Sequence, residues 1–399
     1  MRFLIKKFRW LFWPLWIGLL TLPFMGVRGS LTVLLVIALG ILLAKGITST
    51  SNKFKIKSVL SEQFKRTISR LNIQIASLAV GRARRSGSAG GLLSIPRLPS
   101  TIVFVSLLFF LPPFINRYPM DVIATAGIYV LLALGLNIIV GLTGLLVLGY
   151  IAFYAIGAYT YALLNTHFSI PFFLALPIGG FVAYLFGFFL GSPVLRLRGD
   201  YLAIVTVGFG EITRLVLNNW DELTRGPNGI ADISRPQLFG FTFRDPLHYY
   251  YLILILVLIT IFITVRLTRS RIGRAWEAIR EDEVAASAMG INVAAMKLLA
   301  FAISAAFAGV AGVIFAAKQT HISPESFTFW ESALVLSMVV IGGMGSIPGV
   351  IVGALTLIIL PEILRGFQEY RMLLFGAGMV LMMRFRPQGF LPPKRRTIK

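Results

Sequence analysis

Glu211 and Arg214 sit three residues apart in an apolar stretch, the spacing at which two helical side chains meet. Ionisable groups inside a membrane are costly, so such a pair either lines a substrate path or staples helices together. Asn137 poses the same choice. It lies within residues 122–195, a run of 74 positions without Asp, Glu, Lys or Arg, and reads as pore-lining or as an interhelical hydrogen bond. The densest polar cluster is Arg269–Asn292, which carries Arg274, Glu277, Arg280, Glu281, Asp282 and Glu283 around Trp276. Glu281-Asp282-Glu283 has no histidine beside it and reads as a solvated helix surface rather than a catalytic centre. His167, His248 and His321 stand apart, without metal-ligand spacing, and the chain has no cysteine, which excludes disulfides and thiolate chemistry. There is no GxxxxGK[ST] string, and no lysine follows a glycine anywhere, so no phosphate loop is encoded. These residues point to docking and passage: no catalytic residue, metal or bound cofactor is expected.

The elements that must hold them are membrane helices. The chain is 57% hydrophobic and 14% charged, with mean hydropathy +0.82, far from a soluble domain. A spanning helix needs about 20 apolar residues. Spans are read near 10–26, 31–45, 100–116, 122–140, 145–164, 171–195, 201–217, 248–268, 298–317, 329–344, 349–364 and 370–384. The runs are continuous rather than alternating, and backbone groups in lipid must bond within the segment. The predicted fold is therefore all-α, a polytopic transmembrane helix bundle of about 10–12 spans including an N-terminal hairpin. The net charge of +22 collects in segments on one side, the positive-inside pattern. It fits anionic lipid and requires no nucleic acid.

Four regions are expected: an N-terminal membrane hairpin (1–44), a basic linker (45–99), a core (100–393) and a basic tail (394–399). A secretory signal peptide competes for the first region. Pro14 interrupts its apolar stretch, and no small-x-small cleavage site follows, which favours a retained hairpin. Glu331 and Glu362 bracket 30 uncharged residues containing Gly342, Gly343, Gly345 and Pro348. These breakers predict two short helices or a broken helix of the transporter kind. Two crossings there keep Lys394, Arg395 and Arg396 on the N-terminal side.

In the charged loop, Ala278, Ala285, Ala286 and Ala288 favour helix. Gly290 is placed to stop it, and Asn292 to cap the next helix. The loop is thus helix, tight turn, helix. The residues alone leave two readings open, a solvated connector and a docking element.

Ala285, Ala286 and Gly290 keep the spacing of the coupling segment of binding-protein-dependent ABC import permeases, although Val284 stands where that motif has Glu. Longer strings are more specific: GLLVLGYIAFYAIGAYTYALL at 144–164, LRLRGDYLAIVTVGFGEITRLVLNN at 195–219, GRAWEAIREDEVAASAMGI at 273–291, SPESFTFWESALVLSMVVIGGMGS at 323–346 and RPQGFLPP at 386–393. Together they resemble the M-type (LivM-like) permeases of high-affinity branched-chain amino-acid ABC importers. The resemblance covers residues 100 to 393. It implies a heterodimer with a sister H-type permease, two cytoplasmic ATP-binding subunits that hold ATP-Mg, and a periplasmic amino-acid-binding protein. It also implies an inner-membrane location with both termini cytoplasmic, and alternating access driven by ATP hydrolysed on the partners. The implied cargo is leucine, isoleucine and valine, with urea, short amides or other hydrophobic amino acids as the alternative. An ion-coupled secondary transporter would need intramembrane carboxylates, and only Glu211 is well placed. A membrane enzyme would need clustered His, Asp or Glu at one interface.

Overall fold

The computed structural model describes residues 116–194, 199–238 and 241–363, with a few single positions beyond them, including 197 and 389–391. The expected hairpin, basic linker and tail, and the spans at 10–26, 31–45 and 100–116 with most of 370–384, lie outside the described residues.

The bundle is helical throughout. Helix α1 (Arg117–Leu136) is rich in Ala and Leu and carries Pro119 in its first turn, where no N–H is needed. It runs on as a π-helical turn, Asn137–Thr143, closed by Gly144 at φ 74°. Helices α2 (Ile151–Phe168), α3 (Phe172–Val194) and α4 (Asp200–Asn219) follow. A layer of short pieces leads to α6: α5 (Asp221–Thr224), a 3-10 turn (Gly226–Asn228), and β1 (Gln237–Leu238) paired antiparallel with β2 (Phe241–Thr242). The long α6 (Pro246–Arg269) is followed by α7 (Arg271–Glu281) and α8 (Glu283–Ala288). Then come α9 (Val293–Gln319), a 3-10 turn (Pro324–Phe327), α10 (Phe329–Gly342) and α11 (Ile347–Ile363).

Among the described residues, five helices are long and apolar enough to cross a membrane. Burial sorts them into layers. The α1 rod and α9 are buried over 72% and 61% of their most apolar windows, against 28% for α3 and α6. α1 and α9 therefore form the centre. α3 and α6 present Phe181, Phe186, Phe189, Ile255, Ile259 and Phe262 outward, as lipid-facing helices do. α9 reaches the centre because it is built from small residues: Ala300, Ala302, Ser304, Ala305, Ala308 and Ala311 are wholly enclosed. Where α2 crosses it, a Cβ on Gly157 would run into the Gly309 carbonyl. That close approach suits lipid, where helices associate by packing and by hydrogen bonds rather than by exclusion of water. Ser304 Oγ donates to the Gly135 carbonyl at 2.6 Å, while Tyr150 Oη donates to the Ser304 carbonyl at 3.0 Å.

One expected span is corrected. The 145–164 helix begins only at Ile151, because Gly144 takes a left-handed turn and Leu145–Tyr150 stays non-helical. The N–H groups left free there are held by side chains: Leu148 donates to Thr206 Oγ1 at 3.1 Å and Ile151 to Ser332 Oγ at 2.9 Å. The 329–364 region is an antiparallel helical hairpin, with Gly342 packed on Gly349 and Gly353. Its break runs from Gly343 to Ser346. Gly342 still closes α10, and Pro348 lies in the first turn of α11 rather than in the break.

Candidate functional site

The loop between α6 and α9 is built as two dissimilar halves. Ser270 starts α7 by accepting the Gly273 N–H at 3.3 Å. Gly273, Trp276 and Ile279 then fall on one stripe and are buried, while Arg274, Glu277 and Glu281 face outward. Trp276 is fully enclosed in a cluster with Ile138, Leu142 and Ala300. Its Nε1 donates to the Met296 carbonyl at 2.8 Å, which satisfies the one polar atom that burial would orphan. α7 is thus moored to both the π turn and the first turns of α9.

α8 is capped by Asp282, whose Oδ1 accepts from Val284 N at 2.8 Å and Ala285 N at 2.9 Å. Ala286 is buried; Ala285 is exposed. The Glu283 carboxylate meets the Lys297 ammonium at 2.8 Å, and that lysine side chain is only 6% exposed. Gly290, at φ 82°, ends the helix. Its N–H bonds the Ser287 carbonyl and the Ile291 N–H bonds the Ala286 carbonyl, the paired bonds of a Schellman stop. Asn292 Oδ1 then accepts Ala295 N at 3.1 Å to open α9. Helix, turn and cap leave Val284 72% and Met289 83% exposed, two apolar side chains on a charged loop. Exposed apolar residues on a rigid, polar-rimmed helix suit a protein partner.

Between these halves, Arg280, an exposed residue, bridges to the π turn. Its Nη1 donates to the Gly141 carbonyl in the π turn. The same guanidinium lies so close to Gly345 that a Cβ there would meet Nη1 at 2.9 Å. Asn137, itself buried, accepts the Gly345 N–H at 2.8 Å. The chain near the C-terminus joins the same place: Phe390 N bonds the Ile341 carbonyl at 2.8 Å and Leu391 N the Gly342 carbonyl at 3.1 Å. A cleft of about 200 Å³ lies beside it, lined by Thr143, Gly144, Ile279, Arg280, Glu283 and Lys297.

Glu211 and Arg214 stand elsewhere, on α4. Arg214 Nε pairs with Glu211 at 3.0 Å and Nη1 with Glu325 at 3.0 Å, in the 3-10 turn before α10. Arg214 thereby ties α4 to that turn. The Glu211 side chain is 38% exposed.

The family described as branched-chain amino acid transport system / permease component matches residues 118–383. The chain belongs to this permease family. Its relatives include the high-affinity branched-chain amino acid transport system permease protein LivM of Escherichia coli K12, 51% identical over 311 residues, which are 72% of this chain and 73% of that protein. The probable branched-chain amino acid transport permease LivM of Methanocaldococcus jannaschii is 25% identical over 235 residues, 53% of this chain and 67% of that protein. LivH of Escherichia coli K12, a permease of the other type, is 35% identical over 131 residues, 32% of this chain and 42% of LivH. No solved structure matches. Membership makes the chain a transport permease rather than an enzyme.

Within the permease, the structure separates what the sequence had grouped. Arg280 is exposed like Arg274, Glu277, Glu281 and Asp282, but it alone of these five is seen to bond across to the π turn, at the Gly141 carbonyl, beside the Asn137–Gly345 bond. Asn137 binds backbone in the break, and Glu211 binds Arg214. Lys297 was not singled out in the sequence. Its signal was a lysine five residues into an Ala-rich span, which must find a carboxylate when buried.

Proposed function

We propose that this chain is one permease subunit of a binding-protein-dependent ABC importer that carries leucine, isoleucine and valine into the cytoplasm of a bacterium. ATP-Mg binds and is hydrolysed on two partner subunits, since this sequence encodes no phosphate loop. The other half of the pathway comes from a sister H-type permease; the partial match to LivH supports two related subunits side by side. A periplasmic amino-acid-binding protein delivers substrate to the side opposite the α7–α8 loop. α3 and α6 face the bilayer of the inner membrane, with both termini and the α7–α8 loop cytoplasmic, as the distribution of basic residues supports.

The observation that carries this reading is α8. A short helix fixed by the Asp282 cap and the Gly290 stop, displaying Val284 and Met289, is a preformed docking element for an ATPase. α7 connects it to the transmembrane core, so ATPase closure reaches the helices as a push on α7. The substrate test is uptake of radiolabelled leucine, isoleucine, valine and urea by vesicles holding the full set of subunits. ATP-dependent uptake of the three amino acids supports the reading. Uptake of urea alone, or uptake driven by an ion gradient without ATP, overturns it.

A further inference from the structure

We propose that Arg280 is the positioning residue that makes the α7–α8 loop, the π turn and the α10–α11 break move as one body. The proposal rests on the importer reading above and adds to it the route by which movement of the loop enters the membrane helices. Three independent contacts define that route. Arg280 donates to the Gly141 carbonyl, its stem lies against Gly144, where a Cβ would meet Cγ at 3.2 Å, and its guanidinium lies against Gly345. The backbone at each of these glycines is specialised. Gly141 sits in a π turn whose altered hydrogen bonding leaves its carbonyl turned toward the arginine, and such turns interrupt α-helices at functional sites. Gly144 and Gly345 have φ 74° and 85°, which other residues resist.

Asn137 closes the arrangement. Its carboxamide oxygen holds the Gly345 N–H, so the π turn and the break are joined directly at 2.8 Å and again through one guanidinium. Arginine suits this role because its planar fork presents several donors in a fixed geometry and never loses its charge. A lysine could reach a single carbonyl but could not lie flat against Gly345. The side chain makes no ion pair at 4.0 Å or less among the described residues, and its guanidinium bonds the Gly141 carbonyl instead. Asn137 and Gly345 are 208 residues apart in sequence, and Arg280 of α7 lies against both segments. A push on α8 reaches the α9 start and the π turn by the packing of Trp276 on Ile138, Leu142 and Ala300, and Arg280 carries it on from the π turn to the break.

The test uses the complete importer in vesicles, with spin labels on cysteines introduced at Ser287 in α8 and Met344 in the break, feasible because the chain is Cys-free. Three quantities are read: retention of the ATPase subunits, substrate moved per ATP hydrolysed, and the Ser287–Met344 distance in the ATP and ADP states. With Arg280 present, the distance is expected to stay constant between states. In Arg280→Ala the ATPase subunits stay bound, transport per ATP falls about tenfold or more, and the distance broadens or becomes state-dependent. Arg280→Lys is expected to recover only part of the coupling. Transport per ATP within about twofold of the unsubstituted protein in Arg280→Ala overturns the proposal. Should that variant not accumulate, a Ser287–Met344 distance that shifts between states in the Arg280-bearing protein overturns it instead. Failure of the unsubstituted chain to retain an ATPase subunit defeats the importer reading itself and is scored before either.

Discussion

α7 and α8 are consecutive helices of one loop, built from similar polar and alanine-rich sequence, yet they do opposite things. α7 buries a stripe headed by Trp276 and bonds Arg280 to the π turn. α8 buries one alanine and turns Val284 and Met289 to solvent. The difference teaches that one loop can hold a half that belongs to the membrane domain and a half left mostly to solvent, the half proposed above to meet a partner. Damage to the buried stripe of α7 should therefore cost the protein itself, and damage to the exposed face of α8, away from the Glu283–Lys297 pair, should cost only the partnership.

The largest expected effect tests the first half. Trp276→Ala removes a wholly buried side chain and its bond to Met296, a loss of about 3–5 kcal/mol by analogy with other core truncations. Membrane abundance and thermal stability should both fall, and uptake with them. If Trp276→Ala left abundance and melting unchanged, α7 would be as dispensable to the fold as α8, and the contrast would be gone.

Next comes the docking face. Val284→Asp combined with Met289→Asp touches no enclosed contact, since both side chains are exposed. Abundance should hold, while retention of the ATPase subunits during purification should fall at least about tenfold, the equivalent of about 1.4 kcal/mol.

Gly290 tests the joint between α8 and α9. No atom lies within 4 Å of a Cβ built there, so the cost of substitution is conformational: φ is 82°. Gly290→Val should cost about 1–2 kcal/mol of strain in the turn, lower ATPase retention and uptake together, and leave membrane insertion intact. Gly290→Ala should follow the same direction more mildly. A valine variant with full uptake would remove the turn from the coupling account.

The smallest effect is expected far from the loop. The Glu211–Arg214–Glu325 cluster is partly solvated, and exposed pairs contribute about 0–1 kcal/mol. Glu211→Gln should reduce uptake less than any loop variant, at normal abundance. Abolished uptake at normal abundance would move Glu211 into the translocation path.

Much of this arrangement was legible in the sequence because its determinants are local. Asn292 and Gly290 announce a helix start and stop by residue type, and Gly342 to Gly345 announce a break by glycine density. The 74-residue uncharged run announces a membrane bundle through composition alone. What was not legible depends on distant segments meeting. Nothing near Asn137 says that its partner is Gly345, and nothing near Arg280 separates it from Glu277 or Glu281, which share its helix and its polarity. The late start of α2 was missed because residues 145–150 are as apolar as a span. The left-handed turn at Gly144 and bonds to the distant Thr206 and Ser332 accompany their non-helical course.

The central claim, that α8 is where an ATPase subunit docks, is tested most directly by site-specific photo-crosslinking in the assembled, transporting importer. A photoreactive residue at Met289 should capture an ATP-binding subunit, and one at the lipid-facing Ile255 should not. Capture of an ATP-binding subunit from Met289 in vesicles that transport leucine is the predicted result. Transport at full rate with no capture from Met289 or from Val284 would contradict the account.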